Sequence, residues 1–375
     1  MIVRFLILLL VFFLSFTTLR AADECLKAAE LVQRGVSLAD GSLEEEKLYT
    51  AALTQCPGLV EAYYNLGLNY TKQNKIEEAF KQFDKASSLN KIPLFLLAKA
   101  NSQYLLGKLN EAEQSYNQVL DINGQNEKAL QGLALIAFSR NSLADAENFL
   151  RQAIQINPDD GTVFYDLALV LEKLERREEA IISLETALDK KSRFNEAKIK
   201  LAELYYHEGR NLEALNLIEP LYSAKMSPEQ ALLLAAIYQR QDKVNESRTI
   251  YQQIHKGDPE NYSALVGIAQ LDIIDGKIDI AVAALEKANN DASSNAEILS
   301  LLGHAYLLQD KLKEGKQVLD KAYSIDPNNA MTLNNLGVYF ELTGDKVKAE
   351  SNFREALIRS PKLLKAQENL ARLTR

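Results

Sequence analysis

The side chains that carry most enzymatic chemistry are sparse in this 375-residue chain, which has three histidines, His207, His255 and His304, and two cysteines, Cys25 and Cys56. A metal site needs three or four ligands converging on one point, and the histidines stand far apart with no cysteine or carboxylate beside them at ligand spacing. No glycine-rich phosphate loop or nucleophile elbow occurs. The carboxylates that do cluster, Glu44 to Glu46 and Glu178 with Glu179, fall on helix surfaces, where solvation accounts for them. The expectation is a protein without catalytic residues, cofactor or metal. The cysteines retain one chemistry. They are an exclusive pair, and in an oxidising compartment such a pair forms a disulfide. Helices over 26–39 and 43–56, antiparallel around Gly41, would place Cys25 and Cys56 at the same end of a hairpin. The residues lie 31 apart, and the chain-entropy model assigns closure of such a loop about 3 to 4 kcal/mol.

The oxidising compartment is inferred from the first residues, MIVRFLILLLVFFLSFTTLRAAD. Arg4 precedes an apolar run from Phe5 to Leu14, then small polar residues, then Ala21 and Ala22, the three-part layout of a secretory leader. Cleavage after Ala21 is expected, giving a leader over 1–21. The alternative is an uncleaved N-terminal membrane anchor, for which the apolar core is short. Lipidation of Cys25 is disfavoured by Ala22, Asp23 and Glu24, since that signal wants small apolar residues before the cysteine. The formal net charge is −8, and loss of Arg4 and Arg20 with the leader makes the remainder more acidic still. An acidic chain is a poor ligand for nucleic acid or anionic membrane. The expected address is the periplasm, with inner-membrane anchoring or secretion as alternatives.

The elements that must position any site are repeated. A small residue, a bulky one four places on, and usually another small one three places after that recur every 33 or 34 residues: Ala79/Phe83/Ala86, Ala146/Leu150/Ala153, Ala180/Leu184/Ala187 and Ala349/Phe353/Ala356 among them. A fixed period of this length defines the architecture. In residues 60–90, Tyr63, Leu66, Gly67 and Tyr70 form one helical stripe and Ile76, Ala79, Phe83 and Ala86 a second, with a break at 72–75. Each unit is therefore a helical hairpin. Prolines at 57, 158, 259, 327 and 361 mark the connectors, since proline cannot continue the helix that has ended but suits the start of the next.

These units resemble tetratricopeptide repeats. The family pattern of a bulky residue, Leu-Gly or Leu-Ala and an aromatic, followed by small, bulky, small and proline, is met by Tyr63, Leu66, Gly67, Tyr70, Ala79, Phe83 and Ala86. It is met again by Leu333, Leu336, Gly337, Phe340, Ala349, Phe353, Ala356 and Pro361. The resemblance implies an all-α fold, a right-handed α-solenoid of stacked helical hairpins with one continuous core in a single elongated domain. It gives nine units over 60–363, a degenerate hairpin over 26–59 in which Glu45 replaces the small residue, and a cap helix over 364–375. Lys99, Asp272 and Gly315 depart from the pattern, and their units are expected to pack less regularly. The pentatricopeptide class has nearly the same period but reads RNA from a basic groove, which this acidic chain lacks.

In the family the first helix of each hairpin lines the concave side. The positions left free there place Tyr64 and Leu68, then Leu97, Asn101 and Tyr104, then Leu135 and Phe138 on the inner face. Tyr165, Leu169 and Tyr206 continue it. An apolar, tyrosine-rich groove suits an extended peptide or an amphipathic helix, with tyrosine hydroxyls or Asn101 orienting its backbone. The same side chains could instead pack against the next unit and fill the groove. The carboxylate clamp of some relatives is not supported here, and Lys72, Lys128, Lys173 and Lys200 read as solvated rim. The function expected is an exported scaffold for protein or peptide partners of an envelope or secretion complex. The alternatives are a self-associating or anchored structural element, or a non-catalytic subunit of an enzyme complex.

Overall fold

The structure is a computed structural model that describes residues 22–223, 226–291 and 295–374. The leader assigned to 1–21 lies outside the described residues, Ala21 included, while Ala22 opens the first helix. No strand occurs among the described residues, and no helix there is long and apolar enough to cross a membrane. The chain forms two compact units, one ending at Ala197 and one beginning at Lys198.

The first unit opens with α1 (22–38) and α2 (Leu43–Gln55). Four hairpins follow: α3 (Val60–Lys72) with α4 (Ile76–Leu89), α5 (Pro93–Leu105) with α6 (Leu109–Ile122), α7 (Glu127–Ser139) with α8 (Leu143–Ile156), and α9 (Gly161–Lys173) with α10 (Arg177–Lys190). Helix α11 (Asn195–His207) contains the boundary between the units. The second unit continues with α12 (Asn211–Ile218), α13 (Pro228–Arg240), α14 (Val244–Gly257), α15 (Tyr262–Ile274), α16 (Ile278–Asp291), α17 (Ala296–Leu308), α18 (Leu312–Ile325), α19 (Ala330–Leu342), α20 (Lys346–Arg359) and α21 (Leu364–Leu373). Helix α12 is short because Pro220 has no N–H to continue the ladder, and a single 3-10 turn over Glu219–Leu221 ends it.

Within each hairpin the turn is built the same way. Asn74, Gly107, Asn141, Glu175, Gly209, Asp242, Gly276, Asp310 and Gly344 all have positive φ. The next residue's N–H returns to a carbonyl five back, as from Lys75 to Tyr70 and from Arg176 to Leu171, both at 2.9 Å. This closure satisfies carbonyls at the helix end and fixes the reversal. Between hairpins, Asn126, Asp160, Ser227, Asn261, Asn295 and Asn329 accept a backbone N–H and cap the incoming helix.

The recurring small-bulky-small triplet packs the two helices of a hairpin together: Ala79, Phe83 and Ala86 are buried, as are Ala349, Phe353 and Ala356. A Cβ on Gly67 would sit 2.5 Å from the Phe83 ring, so the close crossing needs glycine there. The three departures from the pattern are accommodated in regular hairpins rather than disrupting them. Lys99 pairs with Asp84 at 2.7 Å. Asp272, buried, pairs with Arg248 at 2.7 Å. A Cβ on Gly315 would meet Leu307 at 2.8 Å, so a bulky neighbour takes the space alanine would have used.

The two cysteines are bridged, with sulfurs 2.06 Å and Cα atoms 4.9 Å apart. The bridge joins α1 to the end of α2, beside a cluster of Ala28, Val32, Tyr49 and Ala52 that extends to Ala62 and Leu66 of α3. Glu45, at the position of the usual small residue, is buried and accepts from the Tyr49 hydroxyl at 3.1 Å and from the Gly41 N–H at 2.8 Å.

Consecutive first helices touch one another, α5 with α7 in the first unit and α13 with α15, α15 with α17 and α17 with α19 in the second. No consecutive pair of second helices among the described residues has a comparable contact. A layer whose members lie closer together is the concave side of a stack. Each unit is an α-solenoid segment with the first helices inside.

Candidate binding groove

Inner positions of α3, α5 and α7 enclose a cavity of about 380 Å³ in the first unit. Tyr64 and Leu68 line it from α3, Leu97 and Asn101 from α5, and Gln131 and Leu135 from α7. Each pair is four residues apart and so shares a helix face. Five of the predicted groove residues, Tyr64, Leu68, Leu97, Asn101 and Leu135, are thus brought together.

The cavity is neither fully open nor filled. Tyr64 is half-buried, its ring 5.2 Å from Phe95 and 5.8 Å from Phe83, and burial pushes its hydroxyl pKa up. It is a wall fixed by packing. Leu68 is 37% exposed and Asn101 is exposed, so the floor between them is accessible. The Asn101 Oδ1 accepts from the Tyr116 hydroxyl at 2.7 Å. That bond orients the amide and leaves its N–H groups to donate to a ligand carbonyl.

Tyr116 is the residue that reading inner helix positions missed. It stands on α6, yet its ring passes through to the cavity, together with Phe83 and Ile76 from α4. Gly132 makes room for it, since a Cβ there would sit 2.3 Å from the Tyr116 ring. A glycine sixteen residues after a tyrosine of the triplet is the signal that could have revealed the path, and Gly267 stands in the same relation to Tyr251, with a Cβ contact of 2.5 Å.

The other predicted positions lie on inner helices but outside this cavity. The Tyr104 hydroxyl is 3.3 Å from the Ser139 hydroxyl. Phe138 lies under the Lys173 ammonium at 4.9 Å, and the Tyr165 ring is 4.9 Å from that of Phe194. Leu169 is half-buried on α9. Tyr206 belongs to the second unit, where the Arg240 guanidinium stacks on it at 3.9 Å.

The rim lysines are engaged rather than merely solvated. Lys72 donates to the Ala39 carbonyl at 2.8 Å, and Lys200 pairs with Glu203 at 3.0 Å. Lys128 lines the cavity and pairs with Asp160 at 2.6 Å and Glu127 at 3.3 Å. Burial pushes the Asp160 carboxyl up, but hydrogen bonds from Lys128 and Thr162 outweigh it and hold the group well below the usual carboxylate range. On the next inner helix, Asp166 accepts from the Gln131 amide at 2.7 Å. Burial raises its pKa, and nearby Asp160 adds to the effect.

The inner layer of the second unit has a different character. Asn369 donates to Asn334 at 2.9 Å and Asn335 to the Ser300 carbonyl at 3.1 Å, all four buried, so amides tie α17, α19 and α21 together where the first unit leaves a cavity. His304 faces this layer half-buried, with its pKa lowered by burial and by Lys365, and its Nδ1 has no hydrogen-bond partner among the described residues. No three histidine, cysteine or acidic side chains among the described residues could jointly hold a metal ion. Asn69 opens an Asn-Tyr-Thr triplet, the pattern of a glycan acceptor, but it is buried with its amide donating to the Ser42 carbonyl at 3.2 Å, which removes it as an acceptor site in the folded chain.

Comparison with known proteins gives the same architecture. Models of the tetratricopeptide repeat match residues 60–92 and 296–329, residues 104–168, and residues 165–224. The chain is 22% identical over 281 residues to the TPR repeat-containing protein MJ1428 of Methanocaldococcus jannaschii, covering 71% of this chain and 45% of that protein. It is 23% identical over 246 residues to the cellulose synthase 1 operon protein C of Komagataeibacter xylinus, covering 65% of this chain and 17% of the relative. A likeness to human protein O-mannosyl-transferase TMTC3, 23% identical over 293 residues, covers 76% of this chain and 31% of that one. The chain thus spans less than half the length of these relatives. Among solved structures, Pseudomonas aeruginosa PilF matches with a TM-score of 0.51 at 19% identity, over 55% of this chain and 94% of its own. Period, hairpin geometry, inner-helix layering and the three family matches agree, and the chain is a tetratricopeptide repeat protein.

Proposed function

We propose that this protein is an exported scaffold that holds a peptide or helical segment of a protein partner in the groove of its first unit, in the service of an envelope or secretion assembly. The observation that carries the binding role is the cavity between α3, α5 and α7, where an accessible apolar floor meets an amide oriented by Tyr116, its N–H groups without a partner among the described residues. Apolar side chains of a ligand would supply the buried area there, and Asn101 would fix the register of its backbone. Export is supported by the leader-like composition of 1–21 and by the disulfide between the only two cysteines. A relative whose name places it in a cellulose synthase operon is consistent with service to a larger machine.

Selection of a random peptide library on the purified chain tests the groove, with a Leu68→Asp/Leu135→Asp variant for counter-selection. Sequences enriched on the parent and lost on the variant are expected. Equal enrichment on both would sink the groove reading. Export is tested separately by fractionating cells that express the full chain and alkylating it without reduction. Recovery in the cytosol with two free thiols would contradict it.

A further inference from the structure

Where the apolar floor of the groove reaches α7 it meets a polar cluster whose charges do not balance. Lys128 is ion-paired to both Asp160 and Glu127. Asp166 makes no ion pair among the described residues and has the Gln131 amide as its hydrogen-bond donor, at 2.7 Å. Among the described residues, Lys128 is therefore the one cation paired within a cluster of three carboxylates. An anionic ligand would meet this excess in a chain that is acidic as a whole. A metal ion fits poorly too, because Gln131 turns its N–H toward Asp166 rather than a second oxygen.

The cluster and the apolar wall are one continuous surface. Gln131 and Leu135 both line the cavity and stand one turn apart on α7, about 5.4 Å along the axis. Asp166 is half-buried beside Gln131, which does line the groove, and it is incompletely solvated, which raises its carboxyl pKa. A desolvated carboxylate gains most from a cation that a ligand brings to it. A lysine or arginine stem can lie along Leu135 while its charged end meets Asp166, as such side chains do beside apolar surfaces.

We propose that the groove selects an apolar segment bearing a lysine or arginine, with its leucine-like side chains on Leu68, Leu97 and Leu135 and its cation against Asp166. This rests on the peptide-binding reading above. The class of partner is a protein segment of apolar and basic character, not an acidic tail or a free carboxylate.

The probe is a fluorescein-labelled peptide with leucines at helical spacing and a single lysine, compared with the same peptide carrying glutamine in its place. On the full chain the lysine peptide is expected to bind about tenfold more tightly, corresponding to roughly 1.4 kcal/mol. Asp166→Asn should erase that preference, while Asp121→Asn, an equal charge change at an exposed position on α6, should keep it. Equal binding of both peptides to the parent would overturn the cation assignment and leave the groove reading standing. If neither peptide binds, or if both bind but Leu68→Asp/Leu135→Asp has no effect, the groove reading falls and the assignment with it. Zero-length carbodiimide coupling of the lysine peptide to the unaltered chain gives a second measurement that needs no variant. Coupling at Asp166 is expected, and coupling spread over exposed acids with none at Asp166 would refute the proposal.

Discussion

At Glu175 the backbone is held at φ 60°, a left-handed conformation that glycine, asparagine and aspartate tolerate and glutamate does not favour. The equivalent turns use Asn74, Gly107, Asn141, Gly209, Asp242, Gly276, Asp310 and Gly344, so the strain at Glu175 is local and removable. Glu175→Gly should stabilise the first unit by about 1 kcal/mol, read as a higher urea midpoint with unchanged slope; a lower midpoint would show that the Glu175 side chain contributes more than its backbone costs. Asp160 and Asp166 differ in the same way that structural and functional acids differ. Asp160 is held below its ordinary value of 3.8, so its contribution is complete above that value and is lost as pH falls through its own lower one. Asp160→Asn keeps the helix cap but loses the pair with Lys128, and should lower stability at pH 7 by about 0.5 kcal/mol, an effect that persists down to pH 3.8 and fades only as pH falls below it toward the folded-state pKa. Asp166 is held above 3.8, so its ionisation weakens the fold as pH rises past that value. Asp166→Asn should therefore leave the thermal midpoint at pH 7 unchanged or raise it. A marked drop would mean that the carboxylate is structural.

At the scale of the helices, two glycines in neighbouring roles set how tightly a hairpin stack can close. Gly67 receives the bulky residue of its own hairpin, Phe83, whereas Gly132 receives Tyr116 from the hairpin before. The second arrangement carries the tyrosine hydroxyl to Asn101 and so shapes the groove. Gly132→Ala should cost about 1 to 3 kcal/mol by driving the ring off its position, and adding Tyr116→Leu should recover much of that loss while weakening peptide binding. Additive effects of the two changes in a double-mutant cycle would show that the residues do not share the space. Most of the element order is legible in the sequence because helix stripes, turn residues and the triplet all repeat with one period. The departures at Lys99, Asp272 and Gly315 were legible only as oddities. Their compensations, Asp84, Arg248 and Leu307, come from neighbouring turns and helices that a single helical stripe does not reveal. The groove was half legible for the same reason: helix periodicity identifies the inner face carrying Tyr64 and Leu97, but the depth of Tyr116 depends on the closeness of α6 to α7.

At the scale of the molecule, a stack in which each hairpin touches its neighbours transmits a local loss only as far as shared side chains reach. The Cys25–Cys56 bridge tests this, because its cluster includes Ala62 and Leu66 of α3, and α3 also presents Tyr64 and Leu68 to the groove. Cys25→Ser/Cys56→Ser should remove up to about 3 to 4 kcal/mol from the closing of α1 on α2. Native-state amide exchange should then quicken over 22–55 and modestly in α3, while α13 to α20 in the second unit keep their protection. Uniformly faster exchange would instead mean that the chain opens as one cooperative body. Peptide affinity separates the remaining possibilities. Ala62 and Leu66 lie on the face of α3 toward the bridge, and Tyr64 is held on another face by Phe83 and Phe95, so the wall of the groove has support independent of the first hairpin. Loss of the bridge should therefore weaken binding only a few-fold, far less than its effect on exchange in α1 and α2; a loss as complete as that of Leu68→Asp/Leu135→Asp would assign the N-terminal hairpin, and not the α3 to α5 packing, as the element that sets the groove.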